Sequence, residues 1–183
     1  MCSSDLVGEI RDPETAQIAV QSALTGHLVF TTVHANNVFD VLGRFLHMGI
    51  DPYNFVSCLN CVIAQRLVRK ICPHCKHEVR YDRATLEESG LDADQYLEHP
   101  FFEGSGCKEC NGMGYQGRSA IVELLELNDE IRELLVNKVP VSQLKKAAVA
   151  SGTRFLRESA VEKVLLGIST LKEINRVDRK SVV

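Results

Sequence analysis

No apolar run in this 183-residue chain approaches the roughly 18 residues needed to cross a bilayer, so a spanning helix is not expected. The N-terminus has no basic segment followed by an apolar one, the pattern of a secretory signal. Neither sign of charge dominates. Lys and Arg number 21 against 24 Asp and Glu, a net charge of −3, so no global field points to nucleic acid or to an anionic membrane. There is no internal repeat and no low-complexity stretch. There is also no Gly-Lys pair, and with it no G-x-x-x-x-G-K-[ST] phosphate-binding loop. What remains is an average globular composition, 45% apolar and 25% charged, which argues against disorder. The length suits one ordinary domain, or one with a small appendage.

Against those absences stand seven cysteines. Cys72-Pro73-His74-Cys75 and Cys107-Lys108-Glu109-Cys110 are two C-x-x-C pairs separated by residues 76–106. Such pairs place four thiolates around one Zn²⁺, the closed arrangement of a structural site. The spacer exceeds the roughly 15–20 residues of a zinc ribbon, so the ribbon carries an insertion. The glycines in Asn111-Gly112-Met113-Gly114 allow tight turns with amide N–H groups near the sulfurs. Disulfides and ordinary buried thiols are the alternatives. A chain without a signal peptide suits a reducing, cytoplasmic compartment, where metal binding prevails over disulfides. Cys58 and Cys61 form a third pair inside an apolar run with no glycine turn, and are read as core packing. Cys2 sits alone near the start.

Along the chain, Asp12-Pro13 signals a capped helix start, and Ala16, Ala19, Val20, Ala23 and Leu24 form one apolar helical face ending at Gly26. Leu28–Val33 reads as a short buried strand. His34-Ala35-Asn36-Asn37 is a polar loop, and Val38, Leu42, Phe45 and Leu46 mark a second helix closed by Gly49. Asp51-Pro52 repeats the capping device, and a long helix is expected from there to about Lys70. Residues 6–70 thus alternate strand, helix, strand, helix, helix, an α/β pattern with chemistry expected on the loops after the strands. The insertion holds a short helical pattern around Thr85 to Tyr96. A strand follows at Ala120, then helices capped at Asn128 and Ser142, and a final pair meeting at Gly167. Thr170-Leu171-Lys172-Glu173 reads there as a capping box. The tail after Asp178 is expected to fray.

Glu9 and Asp12 follow an apolar strand end. Glu9 can polarise a water or hold Mg²⁺ through one, and Arg11 can order a phosphate or pair with an acid; the plain alternative is a helix-cap cluster. Gly26-His27-Leu28-Val29-Phe30-Thr31-Thr32-Val33-His34 shifts the balance. It sets two threonines and a histidine at the end of a second strand, where hydroxyls and imidazole can meet phosphate oxygens.

Val7-Gly8-Glu9-Ile10-Arg11-Asp12 resembles the end of the Walker B box of the secretion ATPases, the motors of type II secretion and type IV pilus assembly. Gly26 through His34 is similar to that family's histidine box. Ala64-Gln65-Arg66-Leu67-Val68-Arg69 and the two C-x-x-C pairs match its zinc-containing branch, and Gly114 through Glu123 fits the strand re-entering its core. The resemblance covers about residues 7–178.

It implies an α/β fold: the carboxyl part of a RecA-like P-loop ATPase domain with an inserted Cys₄ zinc module and a C-terminal helical subdomain. The implied division is 7–71 ATPase core, 72–118 zinc module and 119–178 returning strand and helical subdomain, with 1–6 a foreign or artefactual start. Glu9 would be the catalytic carboxylate. His34 and Arg118 would contact nucleotide, with His27, Thr31 and Thr32 supporting the histidine box. Gly8, Arg11 and Asp12 would belong to the Walker B region, and Cys72, Cys75, Cys107 and Cys110 would hold structural Zn²⁺. The implied parent is a cytoplasmic homo-hexamer, peripheral at the inner membrane, that hydrolyses ATP with Mg²⁺ and works with inner-membrane secretion or pilus platform proteins. With no phosphate-binding loop, this chain is expected to be a carboxyl-terminal fragment, inactive alone.

Two binding-module readings compete. Cys107-x-x-Cys110-x-Gly112-x-Gly114 matches one repeat of the Hsp40 chaperone zinc domain, which would not carry an α/β segment before Cys72. A nucleic-acid-binding zinc ribbon would use Arg66, Arg69, Lys70 and Lys76, but the acidic insertion argues against a phosphate footprint.

Overall fold

A computed structural model describes residues 4–178; Cys2 and the tail after Asp178 lie outside the described residues. The fold is mixed α/β, with two compact units, residues 1–64 with 123–154 and residues 65–122 with 155–183.

The first unit opens with β1 (Ser4–Val7), so part of the segment read as a foreign start is strand. Asp12 then caps α1 (Pro13–Leu24), accepting from Thr15 N at 2.9 Å, and Pro13 occupies the first turn, where a missing N–H costs nothing. The helix stops at Gly26, whose φ of 98° suits a residue without Cβ. β2 (Leu28–Thr31) pairs in parallel with β1, Val7 opposite Thr31. The expected buried strand is shorter than Leu28–Val33 and largely exposed: Leu28 is 49% and Phe30 56% accessible, and Leu6 on the paired β1 82%. Apolar strand residues call for a covering layer, and these faces have none among the described residues.

α2 (Val38–His47) is capped by Asn37, and its N-terminus also meets the buried Glu123 carboxylate, which accepts from Val38 N at 3.1 Å. A carboxylate there satisfies an orphan amide and complements the helix dipole. α3 (Pro52–Cys58) is short, and the long helix expected to Lys70 is not formed. From Cys61 the chain is β3 (Cys61–Ile71), with Val62, Val68 and Ile71 buried. Val62, Ile63, Val68 and Ile71 favour extended backbone, and pairing with a second strand decides the matter. Cys61 is therefore an exposed strand residue rather than core, while Cys58 is half-buried and donates to Phe55 O. The rings of Phe45 and Phe55 stack at 4.3 Å in this unit's core.

β3 pairs with β6 (Tyr115–Glu126). The insertion forms β4 (Lys76–Val79), α4 (Arg83–Glu88), α5 (Ala93–Tyr96) and β5 (Phe101–Gly104), with β4 and β5 antiparallel. Phe101 and Leu86 anchor it, each almost fully buried.

After β6 come α6 (Asp129–Val136) and α7 (Val141–Ala150) in the first unit, then α8 (Leu156–Leu165) and α9 (Leu171–Val177) in the second. Asn128 caps α6 as expected, but α7 starts after Pro140 and Ser142 lies inside it. The capping box at Thr170 is only half made. Thr170 accepts from Glu173 N, while the Glu173 carboxylate is buried and turned to Arg69 and Arg176.

Candidate functional site

Parallel pairing brings the carboxyl ends of β1 and β2 side by side, the place where open α/β sheets hold ligands. The pairing continues past both strands: Ile10 N donates to Thr32 O at 2.9 Å, and Thr32 Oγ1 donates to Gly8 O at 2.6 Å. Glu9 and His34 are thereby brought together across 24 residues of chain by the Gly8–Thr32 bond. His34 Nε2 lies 2.5 Å from Glu9 Oε1, an ion-pair contact without hydrogen-bond alignment. Arg11 Nε donates to Glu9 Oε2 at 2.5 Å. The Arg11 hydrogen bond holds the Glu9 carboxyl below its ordinary range, against a smaller opposing effect of burial, and the Arg11, His34 and Arg44 charges add to it. The group is thus kept ionised: a weak proton acceptor but a good partner for a cation or a polarised water.

The other residues of these segments divide. Asp12 is spent on its cap, taking both Thr15 N and Thr15 Oγ1, and those bonds keep its carboxyl low. His27 Nδ1 faces Ser22 O at 3.2 Å and Thr25 Oγ1 at 3.3 Å, so it closes the end of α1 rather than facing Glu9. Thr31 Oγ1 donates only to the neighbouring Thr32 O. Arg118 is exposed on β6 in the second unit. Arg44, which sequence reasoning passed over, belongs with Glu9 and His34. From the last turn of α2 its Nη1 donates to His34 O at 2.5 Å. Its only signal in the sequence was a cation on the helix that follows the histidine segment.

The second constellation is the four cysteines. Their Sγ atoms all lie within 4.8 Å of one another. The contacts Cys72–Cys107, Cys75–Cys110 and Cys107–Cys110 measure 3.8, 3.9 and 3.7 Å. A tetrahedron with metal–sulfur bonds of about 2.3 Å has edges of about 3.8 Å, whereas a disulfide needs about 2.05 Å. The set fits a four-coordinate, closed Zn²⁺ site and excludes the disulfide alternative for this state. Backbone amides aim at the sulfurs as the glycine pattern predicts: Cys107 N and Gly114 N each donate to Cys110 Sγ at 3.2 Å. Those bonds lower the Cys110 thiol to about 6, the one from Cys107 contributing most.

Gly104 is the residue that sequence reasoning missed here. A Cβ on it would meet Gly114 O at 2.1 Å, and one on Gly114 would meet Gly104 O at 2.3 Å, with Gly114 also at φ 75°. The two loops pack backbone on backbone, which only glycine permits.

Beside this centre, Arg69 Nη2 and Arg176 Nη2 pair with the buried Glu173 at 2.7 and 2.8 Å, and Arg69 lies 4.1 Å above the Tyr115 ring. Burial would raise the Glu173 carboxyl, but the Arg176 and Arg69 hydrogen bonds prevail and hold it at about 2. Arg69 is therefore committed to structure, which removes it from any phosphate-binding strip. The α/β segment before Cys72 is likewise formed, and a chaperone zinc module would lack it. Among the described residues no helix is long and apolar enough to cross a membrane.

Comparison with known proteins agrees over nearly the whole chain. A family model described as "Type II/IV secretion system protein" matches residues 5–176. The type IV pilus assembly ATPase PilB of Thermus thermophilus is 45% identical over 169 residues, covering 92% of this chain and 19% of that protein. Type II secretion system protein E of Pseudomonas aeruginosa is 42% identical over 175 residues, covering 96% of this chain and 34% of that protein. The X-ray structure of the Legionella pneumophila ATPase DotB superposes with a TM-score of 0.63 at 20% identity, over 96% of this chain and 38% of that one, a likeness of fold. The chain thus spans between 19% and 34% of the length of these two relatives.

Proposed function

The chain belongs to the Type II/IV secretion system protein family, and from that premise we propose that it is the carboxyl-terminal part of a hexameric ATPase that powers type II secretion or type IV pilus assembly. The observation that carries this reading is the meeting of Glu9 and His34 at 2.5 Å beyond the carboxyl ends of two parallel strands. In this reading residues 7–71 belong to a RecA-like nucleotide core, 72–118 to a zinc module and 119–178 to the returning strand and helical subdomain. The exposed Leu6 and Phe30 suit a sheet that continues in a longer protein.

Each residue has a defined task. Glu9, kept ionised by Arg11, polarises the attacking water or holds Mg²⁺ through one. His34, anchored through its carbonyl by Arg44, faces the terminal phosphate of ATP. Thr32 fixes the distance between the two loops through Gly8 O. His27 and Thr31 support the histidine segment, and Arg118 approaches phosphate in the assembled parent. The cradle for the β- and γ-phosphates belongs to a phosphate-binding loop elsewhere in the parent, because no Gly-Lys pair occurs here. Cys72, Cys75, Cys107 and Cys110 hold Zn²⁺, which when bound crosslinks the two knuckles and supplies stability rather than reactivity. The parent works in the cytoplasm, peripheral to the inner membrane, on secretion or pilus platform proteins.

Two measurements test this. Purified residues 1–183 should release phosphate from ATP only at background rate. In the longer protein, Glu9→Gln should bind nucleotide normally while turnover falls by about 10²-fold or more. Undiminished hydrolysis in a stable Glu9→Gln protein rejects the catalytic role.

A further inference from the structure

Three of the four knuckle sulfurs face backbone N–H groups. Cys110 Sγ accepts from Cys107 N and Gly114 N. Cys107 faces the amides of Cys110 and Glu109, and Cys75 faces the amide of Gly106. Cys72 differs. It is buried at the end of β3, its own amide is spent on Gly114 O at 3.0 Å, and its sulfur meets the other knuckle sulfurs and one further group. That group is a side chain: the Cys72 thiol donates to Gln116 Oε1 at 3.8 Å.

This contact must change when the site takes a metal. A bound cysteine is a thiolate and can only accept a hydrogen bond. Four thiolates around a divalent cation leave excess negative charge on sulfur, and N–H donors relieve it. A glutamine carries acceptor and donor on one planar head, so a half-turn of the amide replaces Oε1 by Nε2–H without moving the chain. The backbone carrying the side chain is held: Gln116 follows Tyr115, whose hydroxyl hydrogen-bonds Thr170 Oγ1 at 2.7 Å, and it lies on β6, which pairs with β3.

We infer that Gln116 is the outer-shell donor to Cys72 in the metal-loaded site, supplying from a side chain what backbone amides supply to the other three sulfurs. The inference rests on the metal reading above and extends it to a residue outside the ligand set. Gln116 acts through Cys72 and touches no metal, so it is a positioning residue.

The test uses the whole 183-residue chain, loaded with Zn²⁺ alone and titrated with a competing chelator. Cobalt-substituted samples report the sulfur-to-metal charge-transfer band. Gln116→Met keeps length and loses the donor. Gln116→Glu replaces the donor with a second negative charge. Gln116→Lys restores an N–H donor by different chemistry. The first two should hold zinc about 10- to 100-fold less tightly, Glu the weaker, with the cobalt band shifted. Gln116→Lys should stay within about threefold of wild type. The Gln116 side chain is exposed, so thermal melts of the loaded variants should match wild type. Wild-type affinity in Gln116→Met overturns the inference even if Gln116→Glu is impaired, since repulsion alone would explain the latter. A Gln116→Lys loss as large as that of Gln116→Met also overturns it. A wild-type chain that takes up no zinc defeats the metal reading itself.

Discussion

Glu9 and His34 meet on loops that leave two four-residue strands, and two hydrogen bonds, Ile10 to Thr32 and Thr32 to Gly8, set their spacing. Cys72, Cys75, Cys107 and Cys110 meet where backbone packs on backbone and amides point at sulfur. The first region is open: Arg11 is 73% and His34 78% exposed. The second is tied on several sides. Ile71 N donates to Ile168 O, Lys76 Nζ to Gly167 O and Ser169 Oγ to Arg69 O, and Glu173 gathers two arginines. A group that must meet a ligand and release it belongs in the open kind of region, and a group that must hold a fold together belongs in the closed kind. Substitutions in the two should therefore fail differently.

The largest effect is expected from the metal. Chelation, or Cys107→Ser, should abolish stoichiometric zinc and unfold residues 72–118, because binding at a structural site contributes on the order of 10 kcal/mol. Metal analysis and the far-ultraviolet spectrum check this, with Cys58→Ala and Cys61→Ala as controls that keep full zinc. Stoichiometric zinc in Cys107→Ser would erase the contrast between the regions.

Gly114→Ala comes next. A Cβ there meets Gly104 O at 2.3 Å on a backbone with φ 75°, so strain and overpacking add. A loss of roughly 3 kcal/mol is expected by denaturant titration. Retention of full stability would show that the two loops can part without cost.

Glu173→Gln should cost about 1.5–3 kcal/mol, since the buried side chain loses its charge-assisted hydrogen bonds to the partly exposed Arg69 and Arg176. The same group sets a pH dependence. Its carboxyl titrates at about 2 in the folded chain against 4.5 in the unfolded one. The unfolded chain therefore takes up the proton first as pH falls. The contribution of Glu173 is complete above pH 4.5 and drains away between there and about pH 2. Acid unfolding of Glu173→Gln should lose that part of its slope.

The smallest effect on stability belongs to the open region. Glu9→Gln should leave the melting temperature unchanged while removing turnover in the longer protein. Its carboxylate meets only exposed partners, Arg11 and His34. A large fall in melting temperature with activity per folded molecule preserved would make Glu9 a structural cap and collapse the comparison.

The sequence by itself determined what depends on neighbours a few residues apart. The caps at Asp12, Asp51 and Asn128, the stops at Gly26 and Gly49, and the two cysteines inside each metal knuckle all have their partners within a few residues. Glu9 and His34 were legible as a pair because each follows a strand end, and parallel pairing brings such ends together. Tertiary structure decided the rest. Cys61–Ile71 is apolar enough for either helix or strand, and β6 made it strand. Glu173 carries the spacing of a capping box, but two arginines, one of them remote in the chain, outbid the local amide. Gly104 and Gly114 are ordinary turn residues until the fold brings them together. Whether an apolar strand is buried, as Leu28–Thr31 is not, depends on which layer covers it, and that is a property of packing rather than of local sequence.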